Sequence, residues 1–145
     1  LFTCFSSRAQ EYPIQPVPFT EVHFQSAFWS PRLETNRTVT IPFAFKKCEE
    51  TGRIDNFAVA AGLKPGQFRG IRYDDSDVFK VMEGAAYSLA IRKDADLDKY
   101  LDDLIAKIAA AQEPDGYLYT IRTIQKDSIR DPAAGKKRWT FLQDL

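Results

Sequence analysis

Two helical patterns lie next to each other in the middle of this chain, and their apolar residues are arranged differently. From Asp75 to about Arg92, Val78, Met82, Ala85 and Leu89 form one stripe, and Phe79, Ala86 and Ala90 form a second. A helix that is apolar on so much of its circumference belongs between neighbours. The small residues Gly84-Ala85-Ala86 allow another helix to come close. From a cap at Asp94 or Asp96 to about Gln112, Leu97, Leu101, Leu104, Ile108 and Ala111 line a single face. Asp98, Lys99, Asp102, Asp103 and Lys107 take the other face, with Asp103 and Lys107 in the favourable i,i+4 order. A buried helix followed by an amphipathic one across a short turn is the repeating unit of an inner and an outer ring of helices.

The remaining segments fit around that pair. Residues 10–18 carry Pro13, Pro16 and Pro18 and are expected to be extended. Residues 19–24 alternate enough to predict a short strand. Ser30-Pro31 reads as an N-cap and first helical position. Pro42 is expected to kink or break that helix, which resumes through residues 43–48 and stops at Gly52. Residues 53–74, with Gly62, Pro65, Gly66 and Gly70, read as an irregular stretch, and so long a loop tends to line a site. After the second helix, Pro114 and Gly116 impose a turn and residues 117–121 look strand-like, giving a β-hairpin-like loop segment. Residues 126–138 read as a polar loop, and residues 139–142 as the start of another packed element.

Charge excludes two partner classes. Twenty basic and twenty acidic residues cancel, which leaves no electrostatic basis for binding nucleic acid or an anionic membrane surface. No apolar stretch approaches the roughly 20 residues of a membrane span. Both ends are expected to be cut, since the one methionine is Met82. Residues 1–9 resemble the end of a signal peptide, with Ser7 and Ala9 at the −3 and −1 positions before cleavage at Gln10. That implies a secreted or periplasmic protein, with a lipoprotein anchored through Cys4 as the alternative.

Several residues are candidates for chemistry, each with a structural reading beside it. Asp75 and Asp77, in the run Asp74-Asp75-Ser76-Asp77, either cap and compensate the helix start or line a polar pocket. Lys80 and Glu83 sit on an otherwise apolar helix, as an i,i+3 pair or as pocket residues. Gln112, Asp115 and Tyr117 either form a turn or meet sugar hydroxyls. His23 has no second histidine near it, and Cys48 lies in a helix without neighbouring ligands, so no metal site is expected in this chain. The sequon Asn36-Arg37-Thr38 falls in a predicted helix and carries no functional reading.

The run from Asp75 to Ala90, DSDVFKVMEGAAYSLA, resembles the DSDVyKwlEaaAYaLA block of glycoside hydrolase family 127, the β-L-arabinofuranosidase family. Gln112 with Asp115-Gly116-Tyr117-Leu118 and Thr120 resembles the family's aQqxDGYLxT block, and Phe28-Trp29 with Arg32 its FWxxR. Asn56 and Ala60-Ala61-Gly62 match a further patch, while Val81 stands where the family often has Trp. The resemblance implies an all-α fold, in which residues 10–145 are the N-terminal portion of an (α/α)6 barrel catalytic domain. It also implies a retaining exo-glycosidase acting on terminal β-L-arabinofuranosyl or related residues of plant glycans. Its nucleophile would be a cysteine thiolate held on zinc, and a glutamate would be its acid/base. None of those catalytic or zinc-binding residues maps onto this chain. Asp75, Asp77, Lys80, Gln112, Asp115 and Tyr117 are the candidates for substrate binding. Two alternatives remain at this point: another α/α-barrel carbohydrate enzyme resembling unsaturated glucuronyl hydrolases, and a non-catalytic helical binding protein.

Overall fold

The computed structural model describes residues 14–125, and among them every regular element is helical. Helix α1 (Trp29–Thr35), a π-helical turn (Asn36–Thr40) and α2 (Ile41–Glu50) follow one another without a break. Then come α3 (Arg53–Ala60), α4 (Asp75–Ile91), α5 (Ala95–Ala111) and the short α6 (Thr120–Ile124).

Local chemistry accounts for these boundaries. The first helix is capped by Ser26 rather than Ser30: Ser26 Oγ accepts from the Phe28 N–H at 3.2 Å and, more weakly, the Trp29 N–H at 3.4 Å. Ser30 Oγ instead donates to the Phe24 carbonyl at 3.2 Å. Pro42 does not break the helix. It has no N–H to donate and its ring crowds the carbonyl four residues back. The widened turn before it takes up the misfit, with the Ile41 N–H donating to the Asn36 carbonyl five residues earlier. At the start of α5, Asp94 Oδ1 accepts from the Leu97 N–H at 3.2 Å, which decides between the two caps the sequence offers, Asp94 and Asp96.

The expected strand over 19–24 is absent. Residues Phe19–Glu21 form a single 3-10 turn, with the Glu21 N–H donating to the Pro18 carbonyl. A lone strand has no edge to pair with, and the Phe19 ring instead meets Tyr87 of α4 edge-on at 5.2 Å. Residues 117–121 are not a strand either, because α6 begins at Thr120. The turn before it is hairpin-like in one respect: the Glu113 N–H donates to the Tyr117 carbonyl at 2.8 Å.

The largest correction concerns residues 53–74, whose first eight residues form α3. This short helix is the centre of the fold and packs against α2, α4, α5 and α6. Phe57 is fully buried, and Ile54 and Ala58 join it in a core with Ile41, Phe45 and Cys48 of α2, Val78 and Ala85 of α4, and Leu101, Leu104 and Ala111 of α5. The expected difference in burial between the two long helices holds in part. Helix α4 exposes fewer of its residues than α5, yet only its Val78/Ala85 stripe is covered. Phe79, Tyr87 and Ile91 are exposed. Two ion pairs tie the N-terminal helices to the α4–α5 turn: Arg37 to Asp94 at 3.3 Å and Arg92 to Glu34 at 3.1 Å.

Candidate functional site

The polar residues concentrate where α4 begins. The chain reaches that point through Gly70, whose φ of +96° suits glycine. A Cβ there would lie 1.9 Å from Asp74 Oδ2, so any other side chain would have to displace Asp74. Asp74 is 2% exposed, and its Oδ2 accepts from the Ile71 N–H at 3.0 Å. It therefore closes the approach to the helix and does not cap its first turn. Its Oδ1 is buried and faces Arg53 Nη2 at 3.3 Å without an aligned hydrogen bond.

Arg53, at the first position of α3, is the hub of this cluster. Its Nε donates to Asp77 Oδ2 at 3.1 Å and its Nη1 to Thr51 Oγ1 at 2.6 Å. Lys80 Nζ donates to Asp77 Oδ1 at 3.1 Å. Burial pushes the Asp77 carboxyl up, but the bonds from Lys80 and Arg53 outweigh it and hold the group below its ordinary value. Of the two readings of Lys80 and Glu83, the i,i+3 pair is not formed: both are exposed, and Lys80 turns to Asp77. Arg53, Asp77 and Lys80 border an open groove of about 430 Å³ between α2 and α4, with Phe43 and Cys48 on its other side.

Asp75 belongs to a second cluster. It is buried, with Oδ1 accepting from Thr120 Oγ1 at 2.6 Å and Oδ2 from the Thr120 N–H at 2.8 Å. The loop between α5 and α6 is thereby held beside the start of α4. Within that loop, Gln112 Nε2 donates to the Gly116 carbonyl at 2.7 Å and the Tyr117 N–H to Asp115 Oδ1 at 3.0 Å. The Tyr117 ring is 40% exposed and carries the Arg122 guanidinium 4.5 Å from its centre. Burial, and then the nearby Asp75, push the Tyr119 phenol up.

The structure thus separates the sequence candidates. Asp77 and Lys80 share one cluster, while Gln112, Asp115 and Tyr117 share another, beside Asp75. Among the described residues no hydrogen bond joins the two groups. Asp75 has both oxygens committed inside the protein. Three participants are not among the sequence candidates: Arg53 lies in a stretch read as loop, Thr120 enters only through the family's aQqxDGYLxT block, and Asp74 only through the acidic run at the helix start.

Zinc does not fit these residues. Among them no group of three or more His, Cys, Asp and Glu side chains can hold a metal ion.

A family model described as "Beta-L-arabinofuranosidase, GH127 catalytic domain" matches residues 21–143. The chain belongs to glycoside hydrolase family 127. A curated relative, the non-reducing end beta-L-arabinofuranosidase of Bifidobacterium longum subsp. longum, is 45% identical over 90 residues, covering 62% of this chain and 13% of its own. A solved GH127 beta-arabinofuranosidase is 51% identical with a TM-score of 0.74, over 89% of this chain and 20% of that one. A GH127 beta-L-arabinofuranosidase from Geobacillus stearothermophilus T6 is 35% identical with a TM-score of 0.70, over 74% and 18%. The chain therefore spans about a fifth or less of each relative. Family 127 membership takes the place of the two alternatives left open by the sequence, the glucuronyl hydrolase-like enzyme and the non-catalytic binding protein.

Proposed function

We propose that this chain is the N-terminal part of a β-L-arabinofuranosidase catalytic domain and forms one wall of its sugar site. The observation that carries the reading is the family match, which runs through both polar clusters at the start of α4 and in the 112–119 loop. The substrate is a plant glycan with a terminal β-L-arabinofuranosyl or related residue, removed with retention of configuration. In the complete domain α4 lies in the inner ring of an (α/α)6 barrel and α5 in the outer ring. The exposed face of α4 at Phe79 and Tyr87 supports that arrangement, because so apolar a surface calls for further helices.

The residues of this chain bind and orient. Asp77 and Lys80 present a carboxylate and an ammonium at a groove, and Tyr117 presents a ring of the kind that stacks on sugars. Glycoside cleavage needs an acid for the leaving oxygen and a nucleophile or activated water on the opposite face, and this chain marks no such pair. Residues outside the chain supply the chemistry, together with the zinc that the family resemblance implies. The leader-like residues 1–9, which lie outside the described residues, support export to the periplasm or beyond.

The test measures release of 4-nitrophenol from its β-L-arabinofuranoside by the full-length protein and by the 145-residue chain alone. Turnover by the first and none by the second is expected. Turnover by the short chain, or one tightly held zinc on it, overturns the claim that the chemistry lies elsewhere. No turnover by the full-length protein overturns the activity.

A further inference from the structure

We propose that Asp75 is a positioning residue, holding the 112–119 loop and its Tyr117 ring in the orientation that binds sugar. The proposal rests on reading this loop as part of a glycoside site.

Burying a carboxylate is costly unless it is fully hydrogen-bonded. Asp75 is 7% exposed and its two short bonds both go to one residue, Thr120, which is 1% exposed and 45 positions away. Bonds to an ionised acceptor are about twice as strong as neutral ones. Thr120 opens α6, and the residue before it, Tyr119, makes no side-chain cap. Asp75 therefore supplies from α4 the acceptor that a capping side chain would supply locally.

The geometry of the loop shows what this bond controls. Its two ends are buried at Ala111 and Thr120. Between them Gln112–Gly116, Glu113–Tyr117 and Tyr117–Asp115 bonds close the turn on itself. These internal bonds set its shape, and the Asp75–Thr120 bonds set its orientation against α4. No lone pair of Asp75 needs to reach the substrate for this role, so its loss should weaken sugar binding and leave the chemical step intact.

The experiment compares Asp75→Asn, Thr120→Ala and Thr120→Ser in the full-length enzyme, with 4-nitrophenyl β-L-arabinofuranoside as the probe. Asp75→Asn and Thr120→Ala should raise KM about tenfold with kcat within about threefold, the pattern of lost binding rather than lost transition-state stabilisation. Thr120→Ser keeps both donors and should restore wild-type values. Hydrogen exchange should speed up in residues 112–119 and stay unchanged in α3 and α5. Unchanged KM in both variants, or a fall in kcat at constant KM, overturns the proposal. So does an exchange increase spread through the core, which marks a merely structural role. If Asp75→Asn does not fold, Thr120→Ala carries the test. If the wild-type enzyme does not turn over the probe, the proposed activity fails and exchange alone decides: a loop-confined increase sustains the positioning role and its absence overturns it.

Discussion

Helices α4 and α5 are each 17 residues long and each buries three of them. Helix α5 buries Leu101, Leu104 and Ala111 and exposes most of its charges, with Ile105 the one large apolar residue it leaves open to water. Helix α4 buries Asp75 with Val78 and Ala85, and leaves Phe79, Tyr87 and Ile91 in contact with water. The pattern of a helix measures how many neighbours it can use. In α5 that demand is met by α3 and α4, whereas in α4 the neighbours α2, α3 and α5 together still leave Phe79, Tyr87 and Ile91 exposed. The hidden carboxylate and the open apolar face belong to the same helix.

The largest expected effect tests whether the two helices share a support. Phe57→Ala removes the buried ring of α3, the helix on which both α4 and α5 pack, and should cost about 3–5 kcal/mol in urea unfolding. A cost below about 1 kcal/mol would mean that α3 is not their common centre. A second variant separates how the helices start. Asp94→Ala removes the cap of α5 and its ion pair with Arg37, and should cost about 1 kcal/mol. Asp74 makes no equivalent bond at the start of α4, so for that helix the sensitive change is Gly70→Ala, which forces Asp74 aside.

A smaller effect is expected at alkaline pH, and it probes the contacts of α2 with each helix. Cys48 borders the groove toward α4, and burial pushes its thiol up. Tyr100 of α5 is pushed up by burial and then by its 2.8 Å bond to Glu49. Both groups titrate higher in the folded chain than in the unfolded one. Their contribution to stability is therefore intact below the ordinary values and is lost as the pH rises above about 8.5 toward the raised ones. Urea midpoints should fall over that range, and Cys48→Ala should flatten part of the fall. The smallest effect is expected at Ile91→Ser on the open face of α4. It should change the stability of the isolated chain, read by urea unfolding, by less than about 0.5 kcal/mol. A large loss of stability would show that the face is already covered.

Much of this architecture was legible in the residues. Periodicity and the Asp94 cap locate α4 and α5 to within a residue or two. Helix α3 was hidden because Gly52, at φ +83°, ends one helix and begins the next, with only Thr51 and Gly52 between them. Its buried Asn56 also looks like a loop residue. It earns burial by exchanging two bonds with the backbone of Arg69, at 2.9 and 3.0 Å, and so ties α3 to the following loop. Of the candidate site, the residue types were legible and the partners were not. The Asp75–Thr120 bond spans 45 positions, and side-chain identity does not reveal pairings at that separation. The strand over 19–24 failed for a related reason, since local alternation cannot supply an edge to pair with.

The π-helical turn at Asn36–Thr40 works as a phase shifter. A helix advances about 100° per residue, so one surplus residue in a turn rotates everything before it by roughly that angle. Glu34, in α1 just upstream, faces Arg92 across the molecule because of this rotation. Removing a single residue between positions 36 and 40 would return the run to ordinary α geometry and swing Glu34 to another side. The Arg92 contact would then be broken although no residue that makes it had been changed. A gap of one residue in this stretch of a family alignment would thus record a rotated N-terminal helix rather than a shorter one.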